Sequence, residues 1–205
     1  MADVSWWKIR DQSLALAARE AGFDLAVYED YSSETQQELK ARAIQISMQN
    51  VRSDFVDHAD RELSSVTQGV YVICLSWPFT VKYELGCSEI IYIGRGKLDS
   101  RLKTHYERSL FRLMRSLQGA NFDFYLTEPR SSVAEDYFKH IEFLLLDRFK
   151  ASIGGASYPI LNKNAGSDRG VAEVGKGWDK PLKRSGKKPI WSLEKTKFWD
   201  FEALG

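Results

Sequence analysis

An acidic side chain inside an apolar helix needs a reason to be there. Glu142 lies between Ile141 and the run Phe143-Leu144-Leu145-Leu146, where an ionised carboxylate must stay wet, be paired, or hold a cation. Arg101 and His105 are four residues apart in a stretch of helical spacing. They therefore project from one helix face, with a permanently charged guanidinium beside an imidazole that titrates near neutral pH. The turn Gly94-Arg95-Gly96-Lys97-Leu98-Asp99 follows a strand-like run and opens a helix, which is the setting of a dinucleotide fingerprint. It fails as one, because Asp99 stands where the third glycine belongs, and the chain has no Gly-Lys-Ser/Thr phosphate loop. Cys74 and Cys87, with only His58, His105 and His140 beside them, are too few for a disulfide framework or a cysteine zinc site. His58 and His140 read as surface or structural residues.

These groups need elements to hold them. Gly69-Val70-Tyr71-Val72-Ile73-Cys74-Leu75 and Ile90-Ile91-Tyr92-Ile93 are rich in β-branched and aromatic residues and read as two strands joined by a long hairpin. A third strand is expected over residues 121–127, where Phe122, Phe124 and Leu126 alternate onto one face. Between them, residues 100–117 read as a helix with Leu102, Leu110, Leu113, Met114 and Leu117 as apolar contacts and Gly119 as its stop. Ser132-Val133-Ala134-Glu135 is a capping box, so the helix carrying Glu142 is expected to begin there. Tyr158 to Asn162 is strand-like.

Upstream, Asp11 is expected to cap a helix that ends at Gly22. A longer helix is predicted from Ser33 towards Leu63, with an apolar stripe at Leu39, Ala43, Ile46, Val51, Phe55 and Val56. Trp6 and Trp7 are expected as packing anchors, and no chemical site is expected in this part.

The 205 residues are 43% hydrophobic and 28% charged, with six tryptophans, enough for one core and one domain with elaborations. No apolar run approaches the roughly 20 residues that cross a bilayer, so a cytoplasmic location without a membrane partner is expected. The net charge of +1 is uneven, at −5 over residues 1–68, +3 over 69–165 and +3 over 166–205. The last two-thirds could face a polyanion, while the acidic N-terminal part is expected to pack, dimerise or keep the chain soluble. Charge alone argues weakly for nucleic acid, whose dedicated binders are far more basic.

The triplet Gly69-Val70-Tyr71, then Tyr92-Ile93-Gly94, then Arg101, His105, Glu142 and Asn162 in that order, resembles the GIY-YIG nuclease superfamily. The resemblance covers roughly residues 68–165. Val70 replaces the isoleucine of the first triplet, the 21-residue interval from Tyr71 to Tyr92 implies an insertion around Ser76–Gly86, and a loop at Ser152–Ser157 lengthens the step to Asn162. The fold it implies is α+β, a small, mainly antiparallel three-stranded sheet flanked by helices. To this, residues 1–67 would add a helical N-terminal extension and residues 166–205 a basic C-terminal arm.

The resemblance implies metal-assisted hydrolysis of phosphodiester bonds, generally in DNA. Such a reaction needs an activated water, neutralisation of the transition-state charge and help for the leaving oxygen. Glu142 would hold a single magnesium or manganese ion, a hard cation suited to carboxylate, water and phosphate oxygen. Arg101 would bind the scissile phosphate with its fixed fork. Tyr71 would be the general base, provided a cation or donor stabilises its phenolate. Tyr92 and His105 would position the water or relay its proton, with His105 the alternative base. Asn162 would orient the phosphate or a metal-bound water, and Arg95 and Lys97 would add phosphate contacts.

The blander alternatives are that Tyr71 and Tyr92 are core aromatics, that Arg101 and Glu142 form a buried ion pair, and that His105 is an exposed helical residue. Further along, Lys176, Lys180, Lys183, Arg184, Lys187 and Lys188 are interleaved with Trp178, Pro181, Pro189 and Trp191. This pattern suits either an extended arm laid on a phosphate backbone, with Lys183, Arg184, Lys187 and Lys188 in contact, or tryptophans docked on the core with their lysines exposed. The leading function is thus a restriction-like endonuclease on DNA, expected to act as a homodimer through its N-terminal helices. The others are a non-catalytic nucleic-acid-binding module of the same fold, and a toxin or defence nuclease on single-stranded DNA or RNA.

Overall fold

The computed structural model describes residues 3–131, 136–163, 166, 174–183 and 187–194. The fold is α+β, with a mainly antiparallel four-stranded sheet, a small mixed sheet and five α-helices. The expected three strands are β2 (Gly69–Leu75), β5 (Ile90–Gly96) and β6 (Phe122–Thr127). The fourth strand, β1 (Trp7–Gln12), comes from the N-terminal part that sequence reading made helical, and it pairs with β6 to give the order β1-β6-β2-β5, antiparallel throughout. Its residues alternate, with Ile9 fully buried and Arg10 exposed, the pattern of a half-buried strand.

Asp11 is not a helix cap. It adopts φ +52° within a register shift of β1, and its N–H donates to Asp123 Oδ1; Asp tolerates this left-handed conformation better than most residues. Ser13 caps α1 (Leu14–Glu20) instead, accepting from Leu16 N–H. Gly22, at φ +92°, ends the turn as expected. Helix α2 (Ser33–Ala59) is capped by Ser32 and stops at Asp60, short of Leu63. Its buried stripe keeps Ala43, Val51 and Phe55, but Ile44 and Met48 fill it where Val56, 37% exposed, does not.

The central helix runs as α3 (Leu98–His105), a π-helical stretch over Tyr106–Leu110 and α4 (Phe111–Ser116). Helix α5 (Tyr137–Phe149) carries Glu142, and the capping box at Ser132–Glu135 lies outside the described residues. Because Trp7 and Tyr71 both pair with Leu126, and Ile9 and Ile73 with Phe124, these residues share one sheet face. That face packs on helices, through Trp7 against Phe55 of α2 and Phe124 against Tyr106. The opposite face carries Val70, Val72, Cys74 and Arg95, with Lys8, Asp123 and Tyr125 on the neighbouring strands, and α5 packs on it beside β2 and β5.

The insertion between β2 and β5 forms β3 (Phe79–Lys82) and β4 (Cys87–Ser88), and β3 pairs in parallel with β7 (Trp191–Glu194). The described C-terminal residues are therefore docked, not extended. Trp6 Nε1 donates to Gly177 O at 3.0 Å, Val4 N–H donates to Lys176 O, and Trp178 is half-buried against the core. Among the described residues no helix is long and apolar enough to cross a membrane.

Candidate active site

Pairing of β2 with β5 sets Tyr71 opposite Gly94 and Ile73 opposite Tyr92, so both tyrosines stand on the helix-covered face. Their rings stack with centroids 5.7 Å apart and planes 21° apart. Gly94 is required by this packing. A Cβ there would meet Tyr92 Cε1 at 2.4 Å and Tyr71 Oη at 2.8 Å, so any side chain would push the phenol out of place.

Helix α3 brings the basic groups. Tyr71 Oη lies 2.9 Å from His105 Nε2, and Arg101 Nε donates to the same oxygen at 3.3 Å. The His105 ring also packs on Tyr92, centroid to centroid at 4.2 Å. Tyr71 has no exposed surface. Burial, with Tyr92 next, raises its phenol above the ordinary range, against the pull of Arg101. His105 is depressed to about 3 by burial first, then by Arg101 and Arg108. At neutral pH it is uncharged, and in the tautomer protonated at Nδ1 its Nε2 accepts the Tyr71 proton.

Arg108 was not among the residues singled out from the sequence. Its signal was present, since Arg101, His105 and Arg108 fall at i, i+4 and i+7, one helix stripe. The exposed Lys97 lies at the start of α3.

Glu142 approaches from the opposite face. Arg95, which faces that way because it pairs with Val70, donates through Nη1 to Glu142 Oε2 at 2.5 Å, with side-chain exposures of 26% and 13%. Of the blander alternatives, a buried ion pair of Glu142 with Arg101 is not what forms; its partner is Arg95. Burial raises the Glu142 carboxyl above its usual range, while Arg95 and then Arg101 pull it back. Arg101 thereby acts on both halves of the cluster, the phenol on one face and the carboxylate on the other.

Asn162 is bonded to the backbone of β5. It lies outside any strand, and its amide grips β5: Oδ1 accepts from Ile93 N–H at 2.9 Å and Nδ2 donates to Ile93 O at 2.7 Å. A side chain bonded at both ends to the middle residue of the second triplet is a strut for the strand.

Of the C-terminal cations, Lys183 pairs with Asp179 at 3.0 Å, Lys187 lies over the Trp77 ring at 5.2 Å, and the carbonyl of Lys188 accepts from Trp77 Nε1. They line the docked segment and are not gathered with the tyrosine cluster; Arg184 lies outside the described residues. His140 is buried and His58 is bound to Asp54 O. Two surface clefts lie elsewhere, one beside Trp77 and Lys187, the other between α2 and Lys103. Neither contains the chemistry described above.

Among the described residues, no three His, Cys, Asp or Glu side chains gather in one place. Glu142 is the carboxylate beside Arg95 and near Arg101, and magnesium and manganese are commonly held by one or two carboxylates completed by water and substrate phosphate. Its donor set suits a cation that shares ligands with a substrate. No family model, curated protein or solved structure matches the chain.

Proposed function

We propose that the chain is a GIY-YIG-type, metal-dependent endonuclease that hydrolyses phosphodiester bonds in DNA. The observation that carries this reading is the convergence on one phenol oxygen, where Tyr71 Oη meets His105 Nε2 at 2.9 Å and Arg101 Nε at 3.3 Å. A phenol has one proton and two lone pairs. With the proton directed to His105 and one lone pair taken by Arg101, one lone pair remains to accept from an attacking water. A proton leaving that water passes to Tyr71 as the Tyr71 proton passes to Nε2.

Without substrate His105 is too weak a base for this, because burial, Arg101 and Arg108 all oppose its charge. A phosphodiester between those arginines cancels part of their field and strengthens His105 as acceptor, so the substrate itself tunes the relay. Arg101 and Arg108 bind the phosphate and stabilise its added charge. Glu142, with water and phosphate oxygens, would hold a magnesium or manganese ion. When bound, the ion supplies further charge neutralisation at the phosphate.

The test is incubation of purified protein with supercoiled plasmid, single-stranded DNA and RNA in magnesium, manganese or EDTA, with Arg101→Ala in parallel. Metal-dependent cutting of plasmid that the variant loses is the expected result. Preference for single-stranded DNA or RNA selects the toxin or defence reading. The full burial of Tyr71 favours a second reading, a non-catalytic nucleic-acid-binding module. Binding without cutting in any metal selects it.

A further inference from the structure

Glu142 and Arg95 are both assigned to the site, one to the cation and the other to phosphate, yet they occupy each other. The contact is made by one guanidinium nitrogen, Nη1, to one carboxylate oxygen, Oε2, at 2.5 Å. A fork that could engage a carboxylate through two parallel bonds engages this one through a single bond. The remaining N–H groups of Arg95 are available to a second anion, and Arg95 is itself flanked by Gly94 and Gly96, neither of which blocks its approach with a side chain.

We infer that Arg95 is a substrate-sensing positioning residue, whose guanidinium holds Glu142 until a phosphate of the nucleic acid draws it away, so that cation and nucleic acid bind cooperatively. The inference rests on the nuclease reading. The physical reason is symmetrical. Both side chains are mostly shielded from water, at 26% and 13% exposure, and removing one partner of such a pair leaves the other charge uncompensated. A cation that takes Glu142 alone strands the guanidinium; a phosphate that takes Arg95 alone strands the carboxylate. When both bind, every charge has a partner. Each ligand removes the cost of the other, which is positive coupling, and the coupling is reciprocal.

The ligand count points the same way. Among the described residues fewer than three His, Cys, Asp or Glu side chains gather here, so phosphate oxygens would add to a cation's few protein ligands. The free protein is thereby kept from holding a charged metal site with no substrate to cut.

The experiment measures Mn2+ affinity by electron paramagnetic resonance, with no nucleic acid present, for the wild type, Arg95→Gln, Arg101→Gln and Glu142→Gln. Freeing the carboxylate in Arg95→Gln is expected to tighten Mn2+ binding about 10-fold or more, within the usual span of coupling between sites. Arg101→Gln removes a charge that Glu142 also feels without unmasking it, and should change affinity by less than about 3-fold. Glu142→Gln should abolish the site. In a Tyr71→Phe background, a mixed-sequence single-stranded DNA should tighten Mn2+ binding about 10-fold with Arg95 present and leave it unchanged in Arg95→Gln. Anisotropy should then report the same factor for DNA affinity with and without Mn2+.

Equal Mn2+ affinity in wild type and Arg95→Gln, with the site lost in Glu142→Gln, overturns the inference and leaves the metal role of Glu142 standing. Unchanged binding in Glu142→Gln overturns that metal role itself. If Arg95→Gln does not fold by circular dichroism, the reciprocal coupling in the unaltered Arg95 protein decides, and its absence overturns the inference.

Discussion

Two carboxylates lie on the same face of the main sheet's surroundings and are treated in opposite ways. Asp123 is saturated: Oδ1 accepts from Ser76 Oγ at 2.6 Å and from Asp11 N–H at 3.0 Å, while Oδ2 meets Lys8 Nζ at 3.1 Å. These donors come from β1 and from the end of β2, so the carboxylate ties three strands together. Glu142, at a similar depth, has Arg95 as its donor. A saturated carboxylate is a fastener, because a competitor must break several bonds at once. A carboxylate with one detachable partner can change partners, which is what a binding site has to do.

The comparison makes graded predictions. Glu142→Gln should lower metal-dependent cleavage by about 1000-fold or more, roughly 4 kcal/mol, while the thermal midpoint falls by no more than about 5 °C, the cost of leaving Arg95 without its partner. A large loss of midpoint would put Glu142 with the fasteners. Tyr71→Phe should lower cleavage by about 100- to 1000-fold and keep the fold; near-normal turnover would transfer the base role to His105 or Tyr92. Asp123→Ala should do the reverse of Glu142→Gln. It should lose about 3 kcal/mol of stability, or roughly 6–12 °C in midpoint for a chain of this size, with cleavage per folded molecule retained.

Acid should sharpen the contrast through His105. Its folded value near 3 lies below the unfolded value of about 6.5, so the unfolded chain binds the extra proton first. The stability involved is fully present above about pH 6.5 and is lost as pH falls towards 3, by about 2 kcal/mol at pH 5. Denaturant titration of wild type against His105→Gln across this window should show a shallower acid slope in the variant. The raised carboxyl of Glu142 acts with the opposite sign, since acid relieves its buried charge, so Glu142→Gln should steepen the slope. The smallest effect belongs to Lys187→Ala. Its cation over the exposed Trp77 ring is worth less than about 1 kcal/mol, measurable only as a slight midpoint shift.

Legibility in the sequence followed the range of the interactions. Strands β2, β5 and β6 were readable because β-branched and aromatic residues crowd into short runs, and the Arg101–His105 pair because helical spacing is local. The fourth strand was missed because Asp11, a good cap residue by type, obscured the alternation of Trp7 and Ile9 with Lys8 and Arg10, and its partner β6 lies far along the chain. Strands β3, β4 and β7 are only two to four residues long, too short for any period. Within the site, residue types were legible and pairings were not. Nothing local tells Arg95 from Arg101 as the partner of Glu142, or marks Asn162 as a clasp on Ile93, because both depend on which face of β5 a distant element meets.

The pairing of β1 with β6 has a consequence for the order in which the protein is made. Ile9 pairs with Phe124, so β1 has no strand partner until more than a hundred further residues have followed it from the ribosome. At ordinary synthesis rates that is roughly 6 to 20 seconds, during which the backbone of β1 is without its strand partner and the charges of Lys8 and Arg10 discourage pairing with a neighbouring chain. A strand made early relative to its partner is thus late to gain its sheet hydrogen bonds.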